Sequence, residues 1–79
     1  MYVDAVAEAT ELATAASASD PEVGLRAVAA LRKLLERLEA LQVQHARDLG
    51  WSWQRIADEL HVTRQAVHKK YARRRIRKG

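Results

Sequence analysis

The apolar positions of this chain repeat with a helical period along most of its length. Residues 3–18 place small apolar side chains, mostly alanine, at mixed steps of three and four, which predicts a weakly amphipathic helix. Asp20 suits a helix N-cap and Pro21 suits the first helical position, so a second helix is predicted to begin there. It is predicted to run to Leu49, with Gly50 adopting the left-handed conformation that closes helices.

The predicted second helix carries a continuous apolar stripe with two possible roles. Its positions alternate steps of three and four: Val28, Leu31, Leu35, Leu38, Gln42, His45 and Leu49, with Leu34 and Leu41 to one side. In one interpretation, the stripe packs only against the other helices of the same chain. In the interpretation that we favour, the stripe also pairs with a second copy of the chain, because three short helices are too small to cover it. The predicted dimerisation residues are Val28, Leu31, Leu34, Leu35, Leu38 and Leu41.

Two short helices are predicted after Gly50. Ser52 is a candidate cap for the first, whose apolar residues are Ile56, Ala57 and Leu60. Residues 61–63 break the pattern, and Thr63 caps a second helix whose inward residues are Ala66, Val67 and Tyr71. The small side chain of Ala57 predicts a close crossing of the two helices. The residues expected to form their miniature core are Ile56, Leu60, Val62 and Val67.

The segment SWQRIADELHVTRQAVHKKY, residues 52–71, resembles the helix-turn-helix of small actinobacterial regulators and, more distantly, sigma-factor region 4. The resemblance covers about residues 46–73, and it implies DNA binding through the helix that begins at Thr63. Two residues depart from the usual pattern. His61 stands where such motifs usually have glycine, so the turn is expected to be slightly strained or differently shaped. Lys70 occupies a position that is often apolar, so Tyr71 is expected to make the inward contact.

The outward face of the predicted second short helix carries the residues expected to read base edges: Arg64, Gln65, His68 and Lys69. A glutamine makes paired hydrogen bonds to adenine, and an arginine does so to guanine or grips a phosphate. Residues with the chemistry for backbone contacts are Trp53, Gln54, Arg55, Thr63, Lys70, Arg73, Arg74, Arg75, Arg77 and Lys78. Capping alone is an equally good role for Thr63. For Trp53, and more strongly for Trp51, packing is favoured over stacking on DNA.

Charge is distributed unevenly along the chain and agrees with a nucleic-acid partner. The net charge is +4, but residues 1–25 contain five acids and no base, whereas residues 61–79 contain eight bases and no acid. The positive field is therefore concentrated at the end where the motif lies. The chain is rich in alanine, leucine, arginine and glutamate and has only three glycines and one proline, a composition typical of helical proteins. We expect an all-α fold of four helices, arranged as segments 1–20, 21–50 and 51–79.

The residue types present argue against several other classes of function. The chain has no cysteine, its histidines lack metal-ligand spacing, and no serine or threonine has a convincing base and orienting acid. We therefore predict no metal, no cofactor and no enzymatic activity. The absence of a signal peptide or a long apolar run predicts a soluble cytoplasmic protein without a membrane partner.

These observations favour a homodimeric, sequence-specific transcription regulator bound to double-stranded DNA. Two alternatives stay open. In the first, the long helix and the acidic N-terminal segment form an interaction module for a larger transcription partner. In the second, the basic C-terminal segment makes the chain a non-specific nucleoid DNA binder. Base-specific contacts by Gln65 would distinguish the transcription regulator from both alternatives.

Overall fold

The computed structural model describes the backbone of residues 2–78 and the side chains of residues 4–72. This part of the chain contains four helices and no strand, so the all-α prediction is confirmed. The helices are α1 (Tyr2–Ala16), α2 (Pro21–Asp48), α3 (Trp53–Leu60) and α4 (Arg64–Lys78). Within the same residues, no helix is long and apolar enough to cross a membrane.

The ends of α1 and α2 differ slightly from the predicted boundaries. We expected the first helix to reach Ala18, but α1 ends at Ala16. The amide N–H of Ser17 donates to the Thr14 carbonyl, and that of Ala18 donates to the Ala15 carbonyl, each at 3.1 Å. These bonds span three residues, so the chain tightens out of the α-helix before the predicted end. The second helix ends at Asp48, one residue before Leu49.

Side-chain caps fix the starts of three helices. The Asp20 carboxylate accepts a hydrogen bond from the Glu22 N–H at 3.1 Å at the start of α2. The Ser52 hydroxyl accepts from the Arg55 N–H, also at 3.1 Å, at the start of α3. Thr63 caps α4 in the same way. Each cap satisfies a backbone donor that has no partner inside its helix, as the residue types at these positions predicted.

Helices α2 and α3 end in the same hydrogen-bond pattern. Gly50 has φ 89°, and the N–H groups of Gly50 and Trp51 donate to carbonyls of the last turn of α2, at 2.9 and 3.0 Å. His61 has φ 60° and ψ 40°, and it and Val62 make the corresponding bonds to Asp58 and Ala57. Both are Schellman motifs, in which a left-handed residue satisfies the terminal carbonyls. The left-handed conformation expected of Gly50 is confirmed, and of the two possibilities left open for the turn at His61 the structure has the left-handed, strained one.

The chain forms two compact units, Met1–Leu38 and Glu39–Gly79. In the first unit, α2 buries Ala27 and Leu34, which are 5% and 2% exposed. An ion pair joins Arg37 of α2 to Glu8 of α1 at 3.7 Å. Leu34, predicted to contribute to dimerisation, is therefore buried within its own chain and is not available to a partner.

The other predicted dimerisation residues differ in exposure. Leu31 and Leu38 are half-buried, whereas Val28, Leu35 and Leu41 are exposed. The apolar stripe is thus partly covered within the first unit, and part of it remains accessible.

The second unit has a small apolar core to which α2, α3 and α4 all contribute. Its buried members are Val43, Ile56, Ala57, Val67 and Tyr71, and the half-buried residues packed against them are Ala40, Ala46, Trp51, Trp53 and Leu60. Ala57 is fully buried, and α3 and α4 pack on each other. The core residues expected from the short helices are present, with two exceptions.

The two exceptions are Val62 and Ala66. Val62 was expected in the core but is 46% exposed, because it lies in the turn after His61, outside both helices. Ala66 was expected to point inward and is exposed. Successive residues of a helix are about 100° apart, and Val67 and Tyr71, four residues apart, define the buried face that excludes Ala66.

The buried position of α2 in the second unit is Val43, which the predicted stripe did not include. Gln42, His45 and Leu49, which continue that stripe, are exposed. Val43 packs in the same cluster as Ile56 and Val67. In this unit the core therefore uses a different face of α2 from the one that the seven-residue pattern indicated.

Enlarging Ala57 should destabilise the second unit. We expect Ala57→Leu to lower the free energy of unfolding by about 1–3 kcal/mol, because the added methylenes have no space at a fully buried position. Ala66→Leu is the matched control on an exposed helical position and should change it by no more than about 0.5 kcal/mol. Urea unfolding followed by circular dichroism measures both. Equal effects of the two substitutions would contradict a close crossing at Ala57.

Glycine at position 61 should stabilise the chain. His61→Gly removes the steric cost of a left-handed non-glycine residue and is expected to raise the free energy of unfolding by up to about 1 kcal/mol. His45→Gly, within α2, should lower it by roughly 0.5 kcal/mol because glycine is a poorer helix former. Opposite signs in parallel thermal or urea unfolding experiments are the expected result. A loss of stability at both positions would show that position 61 carries no strain.

Candidate nucleic-acid interface

Helix α4 is amphipathic, and its exposed face carries the residues predicted to contact bases. Its start is fixed by the Thr63 hydroxyl, which accepts a hydrogen bond from the Ala66 N–H at 3.1 Å. Val67 and Tyr71 are buried in the core of the second unit. Four exposed side chains share another side of the same helix: Arg64, Gln65, His68 and Lys69. Two cations, an amide and an imidazole therefore project together from the first two turns of α4.

His68 is held by an aromatic contact with α3. Its ring meets the Trp53 ring edge to face, with centroids 5.4 Å apart and the planes at 86°. Trp53 is half-buried and packs against the core of the second unit. The indole thus connects the core to the exposed face of α4 and restricts the position of the His68 ring.

Arg47 is a residue whose role sequence analysis missed. One Nη of its guanidinium donates a hydrogen bond to the Trp51 carbonyl at 2.7 Å. The same group lies over the Trp53 ring, 4.4 Å from the centroid, and its buried Nε makes no hydrogen bond. A cation one turn before Trp51, at the C-terminal end of a helix, is the sequence signal from which the contact with Trp51 could have been predicted. Arg47 joins the end of α2 to the start of α3.

Two exposed residues of α3 predicted to contact the DNA backbone make local contacts. The Arg55 guanidinium lies over the Trp51 ring, 3.7 Å from the centroid. The Gln54 side-chain amide donates to the Asp58 carboxylate at 2.9 Å, one turn along the helix. These contacts orient both side chains at the start of α3, where they remain exposed.

Lys70, also predicted to bind the DNA backbone, forms an ion pair with Glu39 of α2. Its Nζ lies 3.2 Å from Glu39 Oε1, and the Tyr71 hydroxyl hydrogen-bonds to the same oxygen. The hydrogen bond from Tyr71 lowers the pKa of Glu39 most strongly, Lys70 lowers it further, and burial offsets part of the effect. Lys70 and Tyr71 therefore attach α4 to α2, and the buried Tyr71 makes the inward contact that was expected of it.

The remaining predicted backbone contacts are Arg73, Arg74, Arg75, Arg77 and Lys78, and their side chains lie outside the described residues. In the described part of the chain, no three His, Cys, Asp or Glu side chains are grouped so as to hold a metal ion. Comparisons of the chain with protein-family models, with curated proteins and with solved structures found no match.

The contacts of Glu39 should make stability depend on pH. Because the folded pKa of Glu39 is depressed below its ordinary value of 4.5, its ionised form stabilises the fold above that value, and this contribution is lost as the pH falls through the folded pKa. We expect Glu39→Gln to cost about 1 kcal/mol at pH 7, a modest value because the carboxylate is one-third exposed. The deficit relative to wild type should shrink as the pH is lowered to 3.

Urea unfolding at a series of pH values measures this difference. Glu11→Gln removes an exposed carboxylate of α1 and is the matched control. A deficit for Glu39→Gln that is the same at pH 7 and pH 3 would show that the ionised carboxylate does not supply the stabilisation.

Proposed function

We propose that α3 and α4 form a helix-turn-helix and that the chain is a sequence-specific DNA-binding transcription regulator. The observation that carries this proposal is the exposed face of α4, on which Arg64, Gln65, His68 and Lys69 project together while Val67 and Tyr71 anchor the helix. An α-helix fits the major groove of B-DNA, where each base pair presents its own pattern of donors and acceptors. Helix α4 would lie in that groove with its first two turns against the base edges.

The side chains on this face have complementary roles. Gln65 is suited to adenine, because its amide both donates and accepts, and Arg64 is suited to guanine or to a phosphate. Thr63 places its hydroxyl at the start of α4, where the backbone N–H groups and the helix dipole favour a phosphate. Arg55 and Gln54, exposed at the start of α3, would bind the DNA phosphate backbone beside the major groove.

The packing of the second unit supports a rigid reading surface. The fully buried Ala57 lets α3 and α4 approach closely, and the contact between Trp53 and His68 restricts a side chain of the reading face. Base readout needs side chains that are already positioned, since each ordered side chain otherwise loses conformational entropy on binding. A preformed face therefore loses less conformational entropy on binding, which favours affinity for DNA.

We further propose that the regulator is a cytoplasmic homodimer that reads a palindromic site. Helix α2 exposes three large apolar side chains, Val28, Leu35 and Leu41. Apolar side chains grouped on a surface are typical of a protein–protein interface. Two reading helices on one two-fold axis bind half-sites about 34 Å apart, so the dimer supplies affinity that a single short motif lacks.

Selection of the purified chain against random double-stranded DNA tests this function. We expect enrichment of a palindrome, with affinity that falls steeply as salt is raised. Binding to all sequences alike would instead support the non-specific nucleoid binder. No binding at low salt would leave the protein-interaction module as the remaining candidate.

Substitution of Gln65 should change sequence preference. On the selected site, Gln65→Ala is expected to lose about 1–3 kcal/mol of discrimination at one base pair, which is roughly 5- to 150-fold in relative affinity. Gln44→Ala, on the exposed side of α2, is the matched control and should leave the preference unchanged. Arg74→Ala should weaken binding to all sequences alike and reduce its salt dependence. Competition binding with base-substituted sites measures all three, and equal losses on every site for Gln65→Ala would contradict base readout.

A further inference from the structure

Exposed side chains recur every seven residues along α2 and at the residue that follows it. In the first unit, Val28 and Leu35 are 38% and 56% exposed. In the second unit, Gln42 is exposed and Leu49 is 67% exposed. Seven residues are close to two helical turns, and this spacing is typical of helices that pair side by side. Three of the four residues are large apolar side chains that the single chain leaves partly exposed.

In the second unit, two of these residues line an open apolar groove between α2 and α3. The groove has a volume of about 390 Å³, and Val43, Ile56 and Leu60 are among its apolar lining residues. Gln42 and Leu49 lie on its α2 side, and two carboxylates, Glu39 and Glu59, also line it. Glu39 already pairs with Lys70, whereas Glu59 is exposed on α3. The lining residues include no lysine or arginine, so an apolar occupant that carries a cation would fit the groove.

The first unit offers a surface with these properties. Between Val28 and Leu35, α2 exposes the cations Arg32 and Lys33. An apolar ridge that carries positive charge is therefore present in the same sequence as an apolar groove that carries negative charge. A DNA backbone, by contrast, would be repelled by the carboxylates of the groove.

We propose that a second copy of the chain occupies this groove, with the two α2 helices antiparallel. Val28 of one copy lies beside Leu49 of its partner, and Leu35 lies beside Gln42, and the two-fold axis repeats both contacts. This arrangement sets Arg32 close to the partner's Glu59. In a parallel pair, Arg32 would instead lie on the side of the partner's Arg32, and Glu59 on the side of the partner's Glu59. Like charges would then face each other, which is unfavourable. The inference rests on the proposed homodimer and specifies its interface and orientation.

Engineered disulfides test the orientation, because the wild-type chain has no cysteine. Val28→Cys and Leu49→Cys variants, distinguished by mass tags, are mixed, oxidised gently and analysed by mass spectrometry. We expect the disulfide-linked product to join position 28 of one copy to position 49 of the other, with little product from either variant alone. Val6→Cys, at an exposed position of α1 that the proposed interface does not include, is the matched control and should remain unlinked in mixtures with either variant.

The competing outcomes are distinct. Efficient linkage of Val28→Cys to itself would show a parallel pair and overturn the proposal. A wild-type chain that stays monomeric in sedimentation at high micromolar concentration would also overturn it. Enrichment of a single, non-palindromic half-site by that monomer would leave DNA reading intact, so failure of the interface and failure of the DNA-binding function are separable.

Charge reversal provides a second test that does not depend on disulfide geometry. Glu59→Lys should weaken dimerisation several-fold, and combining it with Arg32→Glu should restore it, because the exchanged charges again meet across the interface. Glu11→Lys, which reverses an exposed charge of α1, is the matched control. Circular dichroism confirms that each variant is folded. Additive weakening by Glu59→Lys and Arg32→Glu would show that the two residues do not face each other.

Discussion

The close approach of α3 to α4 at Ala57 is the constraint on which the second unit depends. Ala57 is fully buried and packs in the same cluster as Val67 and Tyr71 of α4, and interiors packed this densely resist a larger side chain. The approach lets Ile56 and Val67 share a core with Val43 of α2. A core of five buried residues has little stability to spare, so helix ends must be satisfied locally. The caps at Ser52 and Thr63 and the closing motifs at Gly50 and His61 do this.

The aromatic residues at the start of α3 extend this core to the surface. Arg47 binds the Trp51 carbonyl and covers Trp53, and Trp53 in turn contacts His68. The end of α2 is thereby linked through side chains to the exposed face of α4. Cations stacked on indole rings are held in place yet keep their charge, which suits residues that lie close to the proposed path of DNA.

Features that depend on neighbouring residues were predictable from the sequence, whereas those that depend on distant contacts were not. Asp20, Gly50, Ser52 and Thr63 act on the backbone within a few residues, so residue type and position sufficed. Burial of Val43 could not be read from periodicity, because several faces of α2 carry apolar residues and tertiary packing selects one. The contacts of Glu39 with Lys70 and Tyr71, and of Arg47 with the Trp53 ring, likewise required knowledge of which helices meet. For the candidate site, the exposed residues of α4 followed from its buried positions, while the local partners of Lys70 and His68 did not.

Helix α2 is longer than the core of the second unit requires, and its faces differ in what they contact. Val43 and Ala46 pack against α3 and α4, whereas Ala27 and Leu34 are buried in the first unit. Exposed leucines and valines remain on the same helix. Such residues promote aggregation when they stay uncovered, so their grouping on a surface indicates an interface with a partner. Charged residues of opposite sign lie beside the exposed residues in the two units, which is the arrangement that favours one orientation of pairing over another. The helix therefore combines two separate packing tasks with a third, accessible surface suited to a second copy.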